Sequence, residues 1–204
     1  LELLPKLPRE SVHLLLTDPP YGVGYVSSRA KARENHAPIA GDESTEAGET
    51  AIDLSWPILA NNRHAYVFGP FPLAGRSRNG WGGACELIWD KAIMSAGGNT
   101  ALPWSSSHEY IQFGAKSDNR AHVARGCGNG LARLRRGTVL RYQRPNSAQC
   151  DDHPTIKPVP LLRELIECSS KFGEIVLDPF AGSGSTLVAA YLEGRKAIGI
   201  ELEE

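Results

Sequence analysis

Between Ile175 and Glu201 the chain runs through a short apolar stretch, a glycine-rich turn, a helical stretch and a second short apolar stretch, and this succession constrains the fold most. Residues 175–177 read as a buried strand, 178–185 as the turn, 186–192 as a helix and 197–200 as a strand ending in Glu201. Apolar runs at 12–16, 65–68, 86–89 and 109–113 read as further strands. Residues 158–171 predict an amphipathic helix, with Leu161, Leu162, Leu165, Ile166 and Phe172 at helical spacing. A helix is also expected over 50–60 despite Pro57, and residues 1–7 read as the tail of another. Stretches 27–44 and 95–107 are polar or Gly/Ser-rich and read as loops. Strands alternating with helices predict an α/β fold, a doubly wound and mostly parallel sheet.

A chain of 204 residues suits one such domain carrying an insert. No apolar run reaches membrane-spanning length and the first residues have no signal-peptide layout, so a cytoplasmic protein is expected, nucleoid-associated if it binds DNA. Cys85, Cys127, Cys150 and Cys168 form no C-x-x-C pair, which fits reduced thiols. A zinc site from His122, Cys127, Cys150 and His153 matches no usual spacing, so no metal is expected. The formal charge of −1 argues for no class of partner. Its distribution is uneven, because from 117 to 149 the charged residues are Arg120, Arg125, Arg133, Arg135, Arg136, Arg141 and Arg144 against the single acid Asp118.

The turn Asp178-Pro179-Phe180-Ala181-Gly182-Ser183-Gly184-Ser185-Thr186 joins a strand to a helix, where glycines allow a sharp bend and close approach of a ligand to the backbone. Glu201, at the end of the next strand, stands where an acid accepts hydrogen bonds from ribose hydroxyls. The pair predicts a site for an adenosine-containing ligand. A phosphate-binding loop would need Gly-Lys-Ser/Thr, and Lys is absent. The dinucleotide fingerprint would need a small residue where Leu187 stands. Asp178 repels phosphate and suits an ammonium group, such as the one on the methionine end of S-adenosylmethionine, which is therefore the expected cofactor.

Asp18-Pro19-Pro20-Tyr21-Gly22 follows the first strand. Two prolines stiffen the loop and leave no N–H at either position, so its carbonyls are free to accept. Asp18 and the Pro19 carbonyl could both accept from one amino group, and Tyr21 offers a flat face to a base. On the motif alone, a plain Pro-Pro turn with a packed tyrosine is an equal reading.

Together with the glycine turn, this segment resembles the amino-methyltransferases of DNA, in the permuted (beta) group where D-P-P-Y comes first and the cofactor turn last. Three motifs carry the resemblance: Asp18-Pro-Pro-Tyr21, His153-Pro-Thr-Ile-Lys157-Pro158, and the turn from Asp178 to Thr186. Glu86-Leu-Ile-Trp89-Asp-Lys91 and His108-Glu-Tyr-Ile-Gln-Phe-Gly114 extend it over most of the chain outside 117–149. The resemblance implies methyl transfer from S-adenosylmethionine to the exocyclic N6 amine of adenine in double-stranded DNA, in a restriction-modification or phage setting. Asp18, Pro19, Pro20 and Tyr21 would form the catalytic loop, with the target base flipped out and stacked on Tyr21. Asp178, Phe180, Gly182, Ser183, Gly184, Thr186 and Glu201 would hold the cofactor, and His153, Thr155 and Lys157 would line its methionine end. Cytosine-N4 members more often carry Ser before Pro-Pro, so Asp18 favours adenine. N4 methylation of cytosine is the alternative on the same chemistry, and a catalytically silent DNA-binding remnant the alternative from another class.

The resemblance divides the chain into a catalytic half, 1–116, a basic target-recognition insert, 117–150, and a cofactor half, 151–204, acting as monomer or homodimer. The seven arginines of the insert are the expected DNA contacts, to phosphates and to guanine edges. In the family a strand precedes the helix leading to D-P-P-Y, and a helix follows the Glu201 strand. This chain starts at Leu1 within the expected helix and stops at Glu204, so a sheet short of one edge strand is expected.

Overall fold

The computed structural model describes residues 1–22, 44–73, 81–92, 103–116, 136–145 and 156–202. The strands are β1 (Val12–Thr17), β2 (Leu59–Phe68), β3 (Trp81–Asp90), β4 (His108–Lys116), β5 (Val139–Arg141), β6 (Ile175–Asp178) and β7 (Lys196–Gly199). The helices are α1 (Glu46–Ser55), α2 (Val159–Ser169) and α3 (Ser185–Leu192). All seven strands form one sheet in the order β5-β3-β4-β2-β1-β6-β7.

β1 is buried along most of its length, as a central strand covered on both faces must be. It pairs in parallel with β2 on one side and β6 on the other, and β6 pairs in parallel with β7. One core layer joins Leu14, Leu16, Tyr66, Phe68 and Val176 to Leu161, Leu165 and Ile166 of α2 and Ala189 and Ala190 of α3. The opposite layer joins Leu15, Ala65, Val67 and Leu177 to Ala51 and Ile52 of α1. Side chains alternating across each strand thus feed two cores, with α2 and α3 on one face and α1 on the other.

The sheet is mixed, because β4 runs antiparallel to both β2 and β3. A parallel neighbour needs a long crossover, usually helical, and the Gly/Ser-rich stretch after β3 supplies no helical pattern. β2 begins at Leu59, six residues before the apolar run that marks it in the sequence. Its first half carries Asn61, Asn62 and Arg63, with Asn62 at φ +58°, and the register against β1 shifts there. The same start shortens the expected 50–60 helix: α1 ends at Ser55, one residue short of the one before Pro57, consistent with proline disfavouring helical geometry in its predecessor. Residues 4–6 form a single 3-10 turn rather than the tail of an α-helix. β5 has no apolar run to announce it, yet it pairs in parallel with β3 inside the segment read as an insert, burying Leu140 between exposed Val139 and Arg141.

Candidate active site

β1 and β6 are neighbours and parallel, so both expected motifs leave the sheet at the same edge, side by side. The last residue of β1, Thr17, is buried and donates its hydroxyl to Asp178 Oδ1 at 2.8 Å. A hydrogen bond between the two strand ends therefore fixes the Asp18 loop relative to the glycine turn.

Asp178 is itself buried, and its Oδ1 also accepts from the Phe180 N–H at 3.1 Å. Burial pushes its carboxyl up to about 6, with the charge of Asp18 adding to the effect, while bonds from Thr186, Thr17 and Phe180 pull the other way. The carboxylate thus organises the turn from below. Gly182 and Gly184 take φ values of +47° and +76°, which favour glycine, and Gly184 caps α3. The space above them is open. A Cβ at Gly182 would meet only Glu201 Oε2, at 4.0 Å, and one at Gly184 would meet nothing within 4 Å. The Ala181 N–H donates to the Ile200 carbonyl at 2.9 Å, which brings Glu201 to the turn, and Gly182 N–H donates to Glu201 Oε2 at 2.5 Å. Ser183 and Ser185 share a hydroxyl contact of 2.9 Å, and both Ser183 and Gly182 are exposed. An open glycine backbone beside a carboxylate at the end of the next strand fits an adenosine ligand with ribose hydroxyls.

On the other side of Thr17, the Asp18 carboxylate is held from two directions. Tyr21 donates its hydroxyl to Asp18 Oδ1 at 2.6 Å, and Lys157 Nζ stands 2.5 Å from Asp18 Oδ2. The Tyr21 ring fits against Gly69, just past the end of β2 at φ +89°, where a Cβ would come within 2.4 Å of the ring. Phe71 lies tilted against the same ring at 6.3 Å between centroids. Pro19 packs on Gly48 of α1, where a Cβ would stand 3.0 Å from the proline. Burial, the charges of Asp18 and Glu109 and the bond to Asp18 all push the Tyr21 hydroxyl far up, so it stays a donor.

Lys157 lies two residues before α2 with only a tenth of its side chain exposed. Its ammonium also stands 3.2 Å from Glu109 Oε2 and over the rings of Tyr21 and Phe68, at 5.7 and 5.1 Å. Burial opposes its charge, yet Asp18 and Glu109 together leave it above the ordinary lysine value. Glu109, at the start of β4, pairs through its other oxygen with Lys91 at 2.8 Å. Burial favours its neutral acid, but Lys157 and Lys91 hold the carboxyl below the usual range.

Glu109, Lys91, Thr17 and Gly69 had no role in the sequence reading. The only signal for the first two is a charge set at the end of an apolar strand, Trp89-Asp90-Lys91 and His108-Glu109-Tyr110. Of the expected site residues, Asp18, Pro19, Pro20, Tyr21 and Lys157 come together at one end of the sheet, beside Asp178, Phe180, Gly182, Ser183, Gly184, Thr186 and Glu201. His153 and Thr155 lie outside the described residues, as do Arg120, Arg125, Arg133 and Arg135 and the four zinc candidates. Arg136 donates to Glu164 at 2.6 Å and to Glu167 at 2.8 Å, both on α2. Arg141, on β5, donates to Asp90 Oδ2 at 2.8 Å while remaining largely exposed, and Arg144 is exposed. Among the described residues no His/Cys/Asp/Glu group could hold a metal ion, and no helix is long and apolar enough to cross a membrane.

Comparison with known proteins bears on the family and the fold. The N6/N4 methyltransferase family model, described as DNA methylase, matches residues 12–204. YubD of Escherichia coli (strain K12) is 32% identical over 199 residues, spanning 97% of this chain and 79% of that protein. The DNA adenine methyltransferase YhdJ of the same organism is 56% identical over a local stretch of 52 residues, 26% of this chain and 18% of its own length. Among solved structures, the M1.HpyAVI–SAM complex superposes with a TM-score of 0.71 at 20% identity, covering 100% of this chain and 89% of that one, a likeness of fold.

Proposed function

The chain belongs to the N6/N4 DNA methylase family, and from that premise we propose that it methylates the N6 amine of adenine in double-stranded DNA, with S-adenosylmethionine as cofactor. The observation that carries this reading is the Thr17–Asp178 hydrogen bond, which sets the Asp18 loop directly beside the glycine turn. An amine acceptor and a pocket for an adenosine-linked methyl donor then share one edge of the sheet.

S-adenosylmethionine, when bound, supplies an electrophilic methyl group on a sulfonium. The chain supplies position and acceptors. Glu201 and the exposed backbone of Gly182 and Ser183 would hold the adenosine, while Asp178 keeps the turn in shape from beneath. An exocyclic amine is conjugated with its ring and a poor nucleophile. Accepting its hydrogens at Asp18 and the Pro19 carbonyl draws its lone pair out of the ring and aims it at the methyl carbon. Transfer would break the methyl–sulfur bond and leave S-adenosylhomocysteine as a neutral thioether, while the nitrogen would lose one proton to water by way of Asp18. A paired adenine cannot reach this loop, so the base must leave the duplex and stack against the Tyr21 side. Asp18, rather than Ser, before the two prolines supports adenine over cytosine, and Arg120, Arg125, Arg133 and Arg135 would supply charge that DNA binding needs.

Incubation with duplex DNA and methyl-labelled S-adenosylmethionine, followed by nucleoside analysis, tests the reading. N6-methyladenine is expected. N4-methylcytosine would overturn the choice of base, and DNA retention without label would overturn the activity.

A further inference from the structure

Lys157 stands in the motif expected to line the methionine end of the cofactor, and its ammonium is held by two acids. It lies 2.5 Å from Asp18 Oδ2 and 3.2 Å from Glu109 Oε2, nearly buried, over the rings of Tyr21 and Phe68. A cation in this position joins three separate parts of the chain: the loop after β1, the start of β4 and the segment entering α2. We propose that Lys157 is a positioning residue, whose ammonium clamps the Asp18 carboxylate in the orientation that receives the target amine, with Glu109 and Lys91 holding the ammonium in place.

Valence and charge both favour such a clamp. A carboxylate on a loop after a strand has a free χ2 rotation, and acceptance of an amine hydrogen needs one defined oxygen direction. Tyr21 binds one oxygen and Lys157 the other, so the carboxylate plane is set while each oxygen keeps a lone pair. Glu109 could not pack so near Asp18 without a cation between them, since two carboxylates in a half-buried site repel. Lys91, paired with the far oxygen of Glu109, completes an alternating row of charges: Asp18, Lys157, Glu109, Lys91. Among the described residues, the other ionisable groups facing Asp18 are the Tyr21 hydroxyl, which remains a donor, and Asp178 beyond Thr17. With two of its three N–H donors given to Asp18 and Glu109, the ammonium is oriented by the protein itself.

The clamp rests on the methyltransferase reading, and the test separates the two. Single-turnover methyl transfer to duplex DNA is measured at saturating cofactor for the parent, Lys157→Met, Lys157→Arg and Glu109→Gln, with S-adenosylmethionine affinity measured by calorimetry. Lys157→Met is expected to lose about 100-fold in rate at saturating cofactor, with cofactor affinity within about three-fold of the parent, and Lys157→Arg to recover part of the rate. Glu109→Gln removes one of the two acids that hold the ammonium and is expected to lower the rate about ten-fold at saturating cofactor, with cofactor affinity unchanged. A parent that transfers no methyl overturns the functional reading and the clamp with it. With an active parent, a Lys157→Met rate equal to the parent's, or a loss confined to cofactor affinity, overturns the clamp alone. Should Lys157→Met fail to fold, Glu109→Gln decides: a rate loss at saturating cofactor with cofactor affinity retained upholds the clamp, and a parental rate overturns it.

Discussion

At the scale of single residues, the site is organised around one carboxylate whose two oxygens have different partners. Asp18→Ala removes the acceptor and is expected to lower methyl transfer at least about 100-fold, with duplex affinity little changed. Tyr21→Phe separates the two tasks of the tyrosine, since it keeps the ring but removes the hydroxyl that reaches Asp18 Oδ1. The expected result is a rate loss of roughly ten-fold, in line with about 1 kcal/mol for one hydrogen bond, without the stacking loss of about 1–3 kcal/mol in DNA affinity that Tyr21→Ala would bring. Rate and affinity measured on the same three variants check both statements. Equal rates for Tyr21→Phe and parent would show that the hydroxyl does not position the acceptor.

At the scale of elements, strand ends and turns decide where these side chains stand. Gly69, following β2, has a positive φ and leaves room for the Tyr21 ring at a place where any Cβ would overlap it. Gly69→Ala is therefore expected to cost about 1–3 kcal/mol through strain and overpacking and to expel the ring from its seat. Thermal unfolding reads the first effect and single-turnover rate the second. The basic segment divides in the same way. Arg136 is engaged with Glu164 and Glu167 of α2, so it acts as a tie between this segment and the helix. Replacing Arg120, Arg125, Arg133 and Arg135 by Ala should weaken binding to all duplexes and reduce the slope of log K against log salt by about one for each phosphate these arginines neutralise. Arg136→Ala should lower the melting temperature and leave that slope alone. A salt series with both variants distinguishes them, and an unchanged slope for the quadruple variant would remove the segment from DNA binding.

At the scale of the whole molecule, two buried groups on different elements oppose each other in pH. Asp178 has a folded value of about 6, above the ordinary 3.8, chiefly through burial. The folded state then holds the extra proton between those values, and stability falls as pH rises through about 4 to 6. His64, packed edge-on against Phe113 and hydrogen-bonded to Ser169, is lowered by burial and by Arg63 to about 4 from 6.5. Its neutral form belongs to the folded state, so stability is lost as pH falls from about 6.5 towards 4. The two slopes have opposite sign over nearly the same window and largely cancel. Asp178→Asn removes one of them. The melting temperature of this variant minus that of the parent is expected to grow more positive between pH 4 and 6, and a difference flat in pH would contradict the burial of a charged Asp178.

Much of this was legible in one dimension. Periodicity marks the central strands and α2, because a strand buried on both faces must be continuously apolar and a helix on one face must repeat its apolar residues at helical spacing. The D-P-P-Y loop and the glycine turn are legible because prolines and positive-φ glycines carry local backbone requirements in their chemistry. The polar first half of β2, the isolated β5 and the antiparallel course of β4 left no such trace, since each is held by its neighbours in the sheet rather than by its own residues. The same division runs through the site. Asp18, Asp178 and Glu201 stand out in the sequence by type and spacing. That Thr17 bonds to Asp178, that Glu109 and Lys91 enclose Lys157, and that Lys157 meets Asp18 are pairings between residues distant in the chain. Local propensity has no information about such pairs, and only the packing of parallel strand ends against α2 brings them within reach.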